Sequence, residues 1–174
     1  MNLTKKISLT AILAALTFIM LMVGSVFETV TLSVAAIASL CIIVAVAEIG
    51  YGYAFALYFI ISVLGFLLLP IKDPLLYFSG FFGYYPIVKH LAEKVCLPFN
   101  YVIKVLSFSC SFALILALGI KIFAPQIEIN ALIIAVAYIV LLAVFFAYDY
   151  ALNKLVRYYN TSLRKRLGID KLLK

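Results

Sequence analysis

Tryptophan is absent from the 174 residues, histidine occurs once, and only seven aspartates and glutamates are present. So few titratable groups leave little for acid–base or metal-assisted catalysis. No H-E-x-x-H, glycine-rich phosphate loop, G-x-S-x-G or lipid-phosphatase-like cluster of Arg, His and Ser occurs. Enzyme chemistry therefore has no sequence support, and no cofactor or metal is expected. Cys41, Cys96 and Cys110 are widely spaced without a C-x-x-C pair, and read as small apolar residues rather than a disulfide or zinc framework. Charge is scarce as well, at 12% of residues.

What fills the chain instead is apolar. Hydrophobic residues make up 67%, against about 45–50% in soluble domains, an excess that a globule of this size cannot hide. The composition implies an all-α integral membrane protein. The net charge of +7 does not point to nucleic acid, because the basic residues sit at the ends of apolar runs and in the C-terminal segment. That placement sets membrane topology. Lys5 and Lys6 precede an apolar run, and Val23–Ser25 could pass as a signal cleavage site. The run from Ile7 to Val26 exceeds the roughly 7–15 residues of a signal core, however, and is expected to be a retained first helix.

Six apolar segments are expected to span, at about residues 7–27, 30–47, 52–70, 75–92, 101–123 and 130–150. About 20 helical residues cross a hydrocarbon core of roughly 30 Å. The breaks have local causes: "VFET", the glycines of "EIGYG", the prolines of "LPIKDP", "KVCLPFN" and "FAPQIEIN". Six spans with both termini inside place all of the 14 basic residues except Lys72 and Lys121 on the cytoplasmic side. The domain expected is residues 1–150, followed by a tail at 151–174. In that tail Leu152, Leu155, Val156, Tyr159, Leu163 and Leu167 alternate with basic residues. It reads as an amphipathic anchor on an anionic leaflet or as a partner contact. Without tryptophan, the interfacial belt falls to Tyr51, Tyr53, Tyr101, Tyr148, Tyr150, Tyr158 and Tyr159.

Small residues recur at helical spacing. Ala11 and Ala15 share one face of the first segment, and Ala35 and Ser39 one face of the second. Such residues let helices approach closely within the chain, or let another membrane subunit dock. "KKISLTAILAALTFIML", followed by "TLSVAAIASLCIIVAVAEIGYGYAFALYFIISVLGFLLLP", resembles the substrate-binding S components of energy-coupling-factor transporters. The resemblance implies six helices, both termini inside, and a cell (plasma) membrane location. It also implies a docking role for Ala11 and Ala15 against a membrane coupling subunit with associated ATPases. Family members bind vitamins or metal ions from outside, in a pocket formed by the later helices and capped by outer loops. This chain has no histidine-rich N-terminal segment, which argues against the nickel and cobalt members.

Counting inward from the outer loops, the pocket candidates are Tyr77, Phe78, Phe81, Tyr84, Tyr85, Gln126, Asn130 and Tyr138, with Glu28 and Glu128 at the rim. Such a set suits a flat, mostly neutral molecule, or else packs helices and meets lipid. Gly83 and Pro86 bracket Tyr84 and Tyr85, where a kink could open space. His90 and Glu93 could share a helix face as metal ligands. With Lys89 and Lys94 beside them, they read instead as a solvated cytoplasmic helix end. Glu48 and Asp149 fall near inner span ends and could snorkel, pair with Lys104 or Lys154, or serve transport. Two functions from different classes fit: a non-catalytic small-molecule-binding transporter subunit, and a membrane scaffold of morphogenesis type without a ligand.

Overall fold

The computed structural model describes residues 3–94, 97–123, 131–159 and 161. The described residues are mostly helical, with no strand among them, and five helices are long and apolar enough to cross a membrane. The chain divides into two units, Asn2–Leu118 and Gly119–Lys174.

Helix α1 (Leu3–Val26) buries Thr10, Leu13, Thr17, Leu21 and Gly24. That three- and four-residue spacing makes a single stripe. The helix packs on α2 (Thr31–Glu48) and α3 (Tyr51–Leu68), while Ile12, Leu16 and Ile19 point outward. Hydroxyls in such a helix need a local acceptor. Thr10 donates to the Lys6 carbonyl at 2.8 Å and Thr17 to the Leu13 carbonyl at 2.7 Å.

Helix α2 is the centre of the first unit, touching α1, α3 and the segments that follow α3. Ala35, Ala38, Ser39 and Ala45 on it have no exposed surface, so its small residues are used for close packing within the chain. Gly50 turns the chain into α3 at φ 106° and ψ 174°, a conformation that side chains avoid. Helix α3 repeats the buried stripe with Ala54, Leu57, Ile61 and Gly65. It ends at Leu69, which is extended because Pro70 follows. Ser25 Oγ then fixes the connection, donating to the Ile71 carbonyl and accepting the Ile71 N–H, both at 2.9 Å.

The fourth apolar segment is three pieces rather than one uniform helix. They are α4 (Asp73–Tyr77), a π-helical turn (Phe78–Phe82) and α5 (Tyr85–Ala92). Proline has no N–H, and its ring displaces the carbonyl four residues earlier. Here Pro86 opens α5, and the wider turn before it absorbs the change of register. The Gly83 N–H reaches back five residues to the Phe78 carbonyl at 2.7 Å.

Helix α6 (Leu97–Phe123) follows, with Pro98 in its first turn. In the second unit, α7 (Ala131–Tyr158) runs past the span end expected near residue 150. The start of the basic tail is thus the last part of a helix: Leu152 and Tyr159 are buried, while Lys154 and Arg157 are exposed. Leu163 and Leu167 lie outside the described residues.

Gly83 sits where a Cβ would come within 2.6 Å of the Tyr58 ring and 3.0 Å of the Phe78 ring. Gly52 has open space around it. Gly83→Ala is expected to lower stability by about 1–3 kcal/mol through overpacking. Gly52→Ala should leave stability unchanged or slightly raised. Unfolding midpoints of both variants in one detergent check this.

Candidate functional site

The π turn and Pro86 place consecutive aromatic side chains in the interior instead of spiralling them around an ordinary helix. The Phe81 ring lies 4.9 Å from Tyr85, 5.9 Å edge-on from Phe108 of α6, and 6.5 Å from Tyr84. Phe78 and Tyr85 are fully buried and Phe81 nearly so. Of the pocket candidates, the structure brings Phe81, Tyr84 and Tyr85 into one cluster, as tightly packed rings.

Tyr84 is half-buried and carries the polar contacts of the cluster. Its hydroxyl donates to the Ser107 carbonyl at 3.2 Å and meets the Ser111 hydroxyl, which itself donates to that carbonyl at 2.8 Å. The Ser107 Oγ is buried and finds no hydrogen-bond partner among the described residues. On the other side, the Tyr58 ring stands edge-on to Tyr84 at 6.5 Å. Its hydroxyl donates to the Ser79 carbonyl at 2.8 Å, inside the π turn. The cluster therefore offers neutral hydroxyls and aromatic faces, and no charge.

Phe78 packs beside the cluster, 6.3 Å from the Tyr58 ring; the remaining candidates stand on other elements or lie outside the described residues. Tyr77 is half-buried at the end of α4, and Tyr138 is half-buried on α7 in the second unit. Gln126, Glu128 and Asn130 lie outside the described residues. Glu28 opens a short 3-10 turn between α1 and α2. Ala11 and Ala15 are exposed on α1.

At the far end of this segment His90, Glu93 and Lys94 are exposed, in keeping with a solvated helix end, while Lys89 departs from it. Lys89 is only 4% exposed and Lys104, on α6, only 6%. Glu93 Oε1 lies 3.8 Å from the Lys89 ammonium and 3.9 Å from that of Lys104. One carboxylate thus serves two buried cations on different helices, because α5 packs against α2 and brings Lys89 inward. His90 turns away, its ring 5.3 Å from Tyr51, so it and Glu93 face different neighbours. No group of three potential metal ligands exists among the described residues. Three lysines lie over tyrosine rings of the expected belt: Lys6 over Tyr53, Lys94 over Tyr51 and Lys104 over Tyr101. Glu48 is half-buried at the end of α2, and Asp149 is buried on α7. Cys41 is buried and Cys110 exposed, both as free thiols, while Cys96 lies outside the described residues.

Sequence reasoning missed Tyr58, Ser107, Ser111 and the pairing of Lys104 with Lys89 through Glu93. A signal existed for three of these four features. Ser107, Ser109 and Ser111 alternate with apolar residues, the first and last sharing a helix face, and Lys104 precedes them by one turn on the same helix. Tyr58 carried none, being one aromatic among many.

Tyr84→Phe keeps the ring and removes the hydroxyl. It is expected to lower stability by roughly 0.6–1.7 kcal/mol, the range of hydrogen bonds between membrane helices. Adding Ser111→Ala should contribute less than it does alone, since both hydroxyls converge on one carbonyl. Reversible unfolding in mixed micelles reads the cycle.

No family model matches the chain, and no curated protein or solved structure matches it either.

Proposed function

We propose that this chain is a small-molecule-binding membrane subunit of an energy-coupling-factor-like uptake transporter, not itself catalytic. It would lie in the plasma membrane with six crossings and both termini cytoplasmic, the segment Asp73–Ala92 supplying the crossing that no single long helix provides. The bias of the basic residues supports this orientation. The lysine–tyrosine pairs Lys6–Tyr53, Lys94–Tyr51 and Lys104–Tyr101 fit a cytoplasmic boundary.

One observation carries the reading. Ala11 and Ala15 are exposed, while Thr10, Leu13 and Thr17 form the stripe that α1 buries within the chain. The small-residue pair is therefore left over by the chain's own packing and remains presentable to a membrane coupling subunit and its ATPases. The ligand would be flat and mostly neutral, held by aromatic faces and by the hydroxyls of Tyr84 and Ser107.

A second reading, a membrane scaffold without a small-molecule ligand, is favoured by a different observation: Phe78, Phe81 and Tyr85 are already packed against protein. Native mass spectrometry of the gently solubilised protein separates the two. The transporter reading expects a bound small molecule and co-purified coupling subunits. Ala11→Leu or Ala15→Leu should abolish that association while leaving the chain folded. Retained association in both variants would overturn the docking role, and an empty chain with no ligand would favour the scaffold.

A further inference from the structure

A groove of about 370 Å³ lies on the outside of the first unit between α3 and the α4–π segment, within the roughly 300–1,000 Å³ of ordinary ligand sites. Ser62 and Phe66 form one row on α3, and Val63 and Leu67 the next, each pair four residues apart. Leu75 and Ser79, also four apart, form the opposite wall. The rows make a channel that follows the helix direction. Its depth comes from Gly65, where a Cβ would stand 2.6 Å from Leu75, so the two walls meet closely at the bottom. Ser62 has turned its hydroxyl to the Tyr58 carbonyl at 2.9 Å, leaving that wall apolar. Phe66 and Leu67 are more than two-thirds exposed and form an open side.

A charge stands at one end. Lys72 holds its ammonium 5.6 Å from the centre of the Phe66 ring. It donates to the carbonyls of Phe66 and Leu69 at 2.5 and 2.6 Å. An ammonium has three protons, so one is left after these two bonds. Among the described residues no carboxylate lies within ion-pairing distance of it. Asp73, next in the chain, belongs to the first turn of α4. An apolar channel with a fixed cation at its mouth is complementary to a molecule with an alkyl chain and an anionic head.

We infer that this groove binds one anionic phospholipid, with an acyl chain along Ser62–Leu67 and Leu75–Ser79 and the phosphate at Lys72. This goes beyond the transporter reading and does not depend on it. The carbonyl bonds hold the ammonium in place before the lipid arrives, so little side-chain freedom is lost on binding. A lysine near a membrane surface contributes enough to favour an anionic over a zwitterionic head by about fivefold.

The test uses the full chain in mixed micelles containing equal phosphatidylglycerol and phosphatidylcholine, followed by native mass spectrometry. The expected result is one retained phospholipid per chain, with phosphatidylglycerol preferred about fivefold. Lys72→Gln should bring the preference close to one, and Lys72→Arg should keep it. Val63→Trp, at a half-exposed position of the groove, should reduce retention of both lipids while the unfolding midpoint holds. Equal retention of the two lipids by the wild type would overturn the inference, as annular lipid alone. So would a preference that survives Lys72→Gln, because the lysines at the opposite end would then hold the lipid, or a protein co-purifying in the groove in place of lipid.

Discussion

Close approach of helix backbones is the condition on which this structure rests. Lipid gives apolar helices no reason to leave it for one another, so association depends on contact area and on hydrogen bonds between helices. Contact area is gained where side chains are small. Helix α2 presents Ala35, Ala38, Ser39 and Ala45 with no surface left exposed, and three helical segments gather around it. Glycines do the same for the outer contacts, Gly65 beneath Leu75, Gly80 beneath Ile115 and Gly83 beneath Tyr58. Polar bonds then fix the register, with Ser25 holding Ile71 and Tyr58 holding Ser79.

From this arrangement the two ends of the α4–α5 segment acquire different characters. Around the π turn, rings and neutral hydroxyls from α3, the segment itself and α6 meet. Beyond Pro86, two lysines and a glutamate meet. At the charged end the two lysines are buried while Glu93 is partly exposed, so the ion pairs there sit where the interior meets the surface. The aromatic end is held by packing. Both depend on α6 lying along the segment, through Ser107 and Phe108 at one level and Lys104 one turn away.

The helices were legible because their causes are local. Long apolar runs, the prolines of "LPIKDP" and the paired glycines of "EIGYG" each act within a few residues. The helices of the structure begin and end close to those points. The π turn was half legible: Gly83 and Pro86 announced a kink, but nothing in "DPLLYFSGFF" tells a shifted hydrogen-bond ladder from an ordinary one. The burial of Lys89 was not legible. A lysine after an apolar run has the same local pattern whether it meets solvent or a carboxylate shared with another helix, and that choice is made by α2 and α6. For the candidate site, Phe81, Tyr84 and Tyr85 were named from their neighbourhood in sequence. Ser107, Ser111 and Tyr58 join them only through contacts between helices.

Pro86 and the turn before it bear also on how the chain enters the membrane. The stretch from Asp73 to Ala92 contains no uninterrupted helix long enough for autonomous insertion, and it carries Lys89 within it. A segment of that kind partitions weakly by its own hydrophobicity. Its Ser79 carbonyl is met by a hydroxyl on α3, and its lysine faces a glutamate that α6 also uses. In the six-crossing arrangement proposed above, its stable placement would wait on helices synthesised before and after it, making insertion and tertiary folding of this stretch a single event.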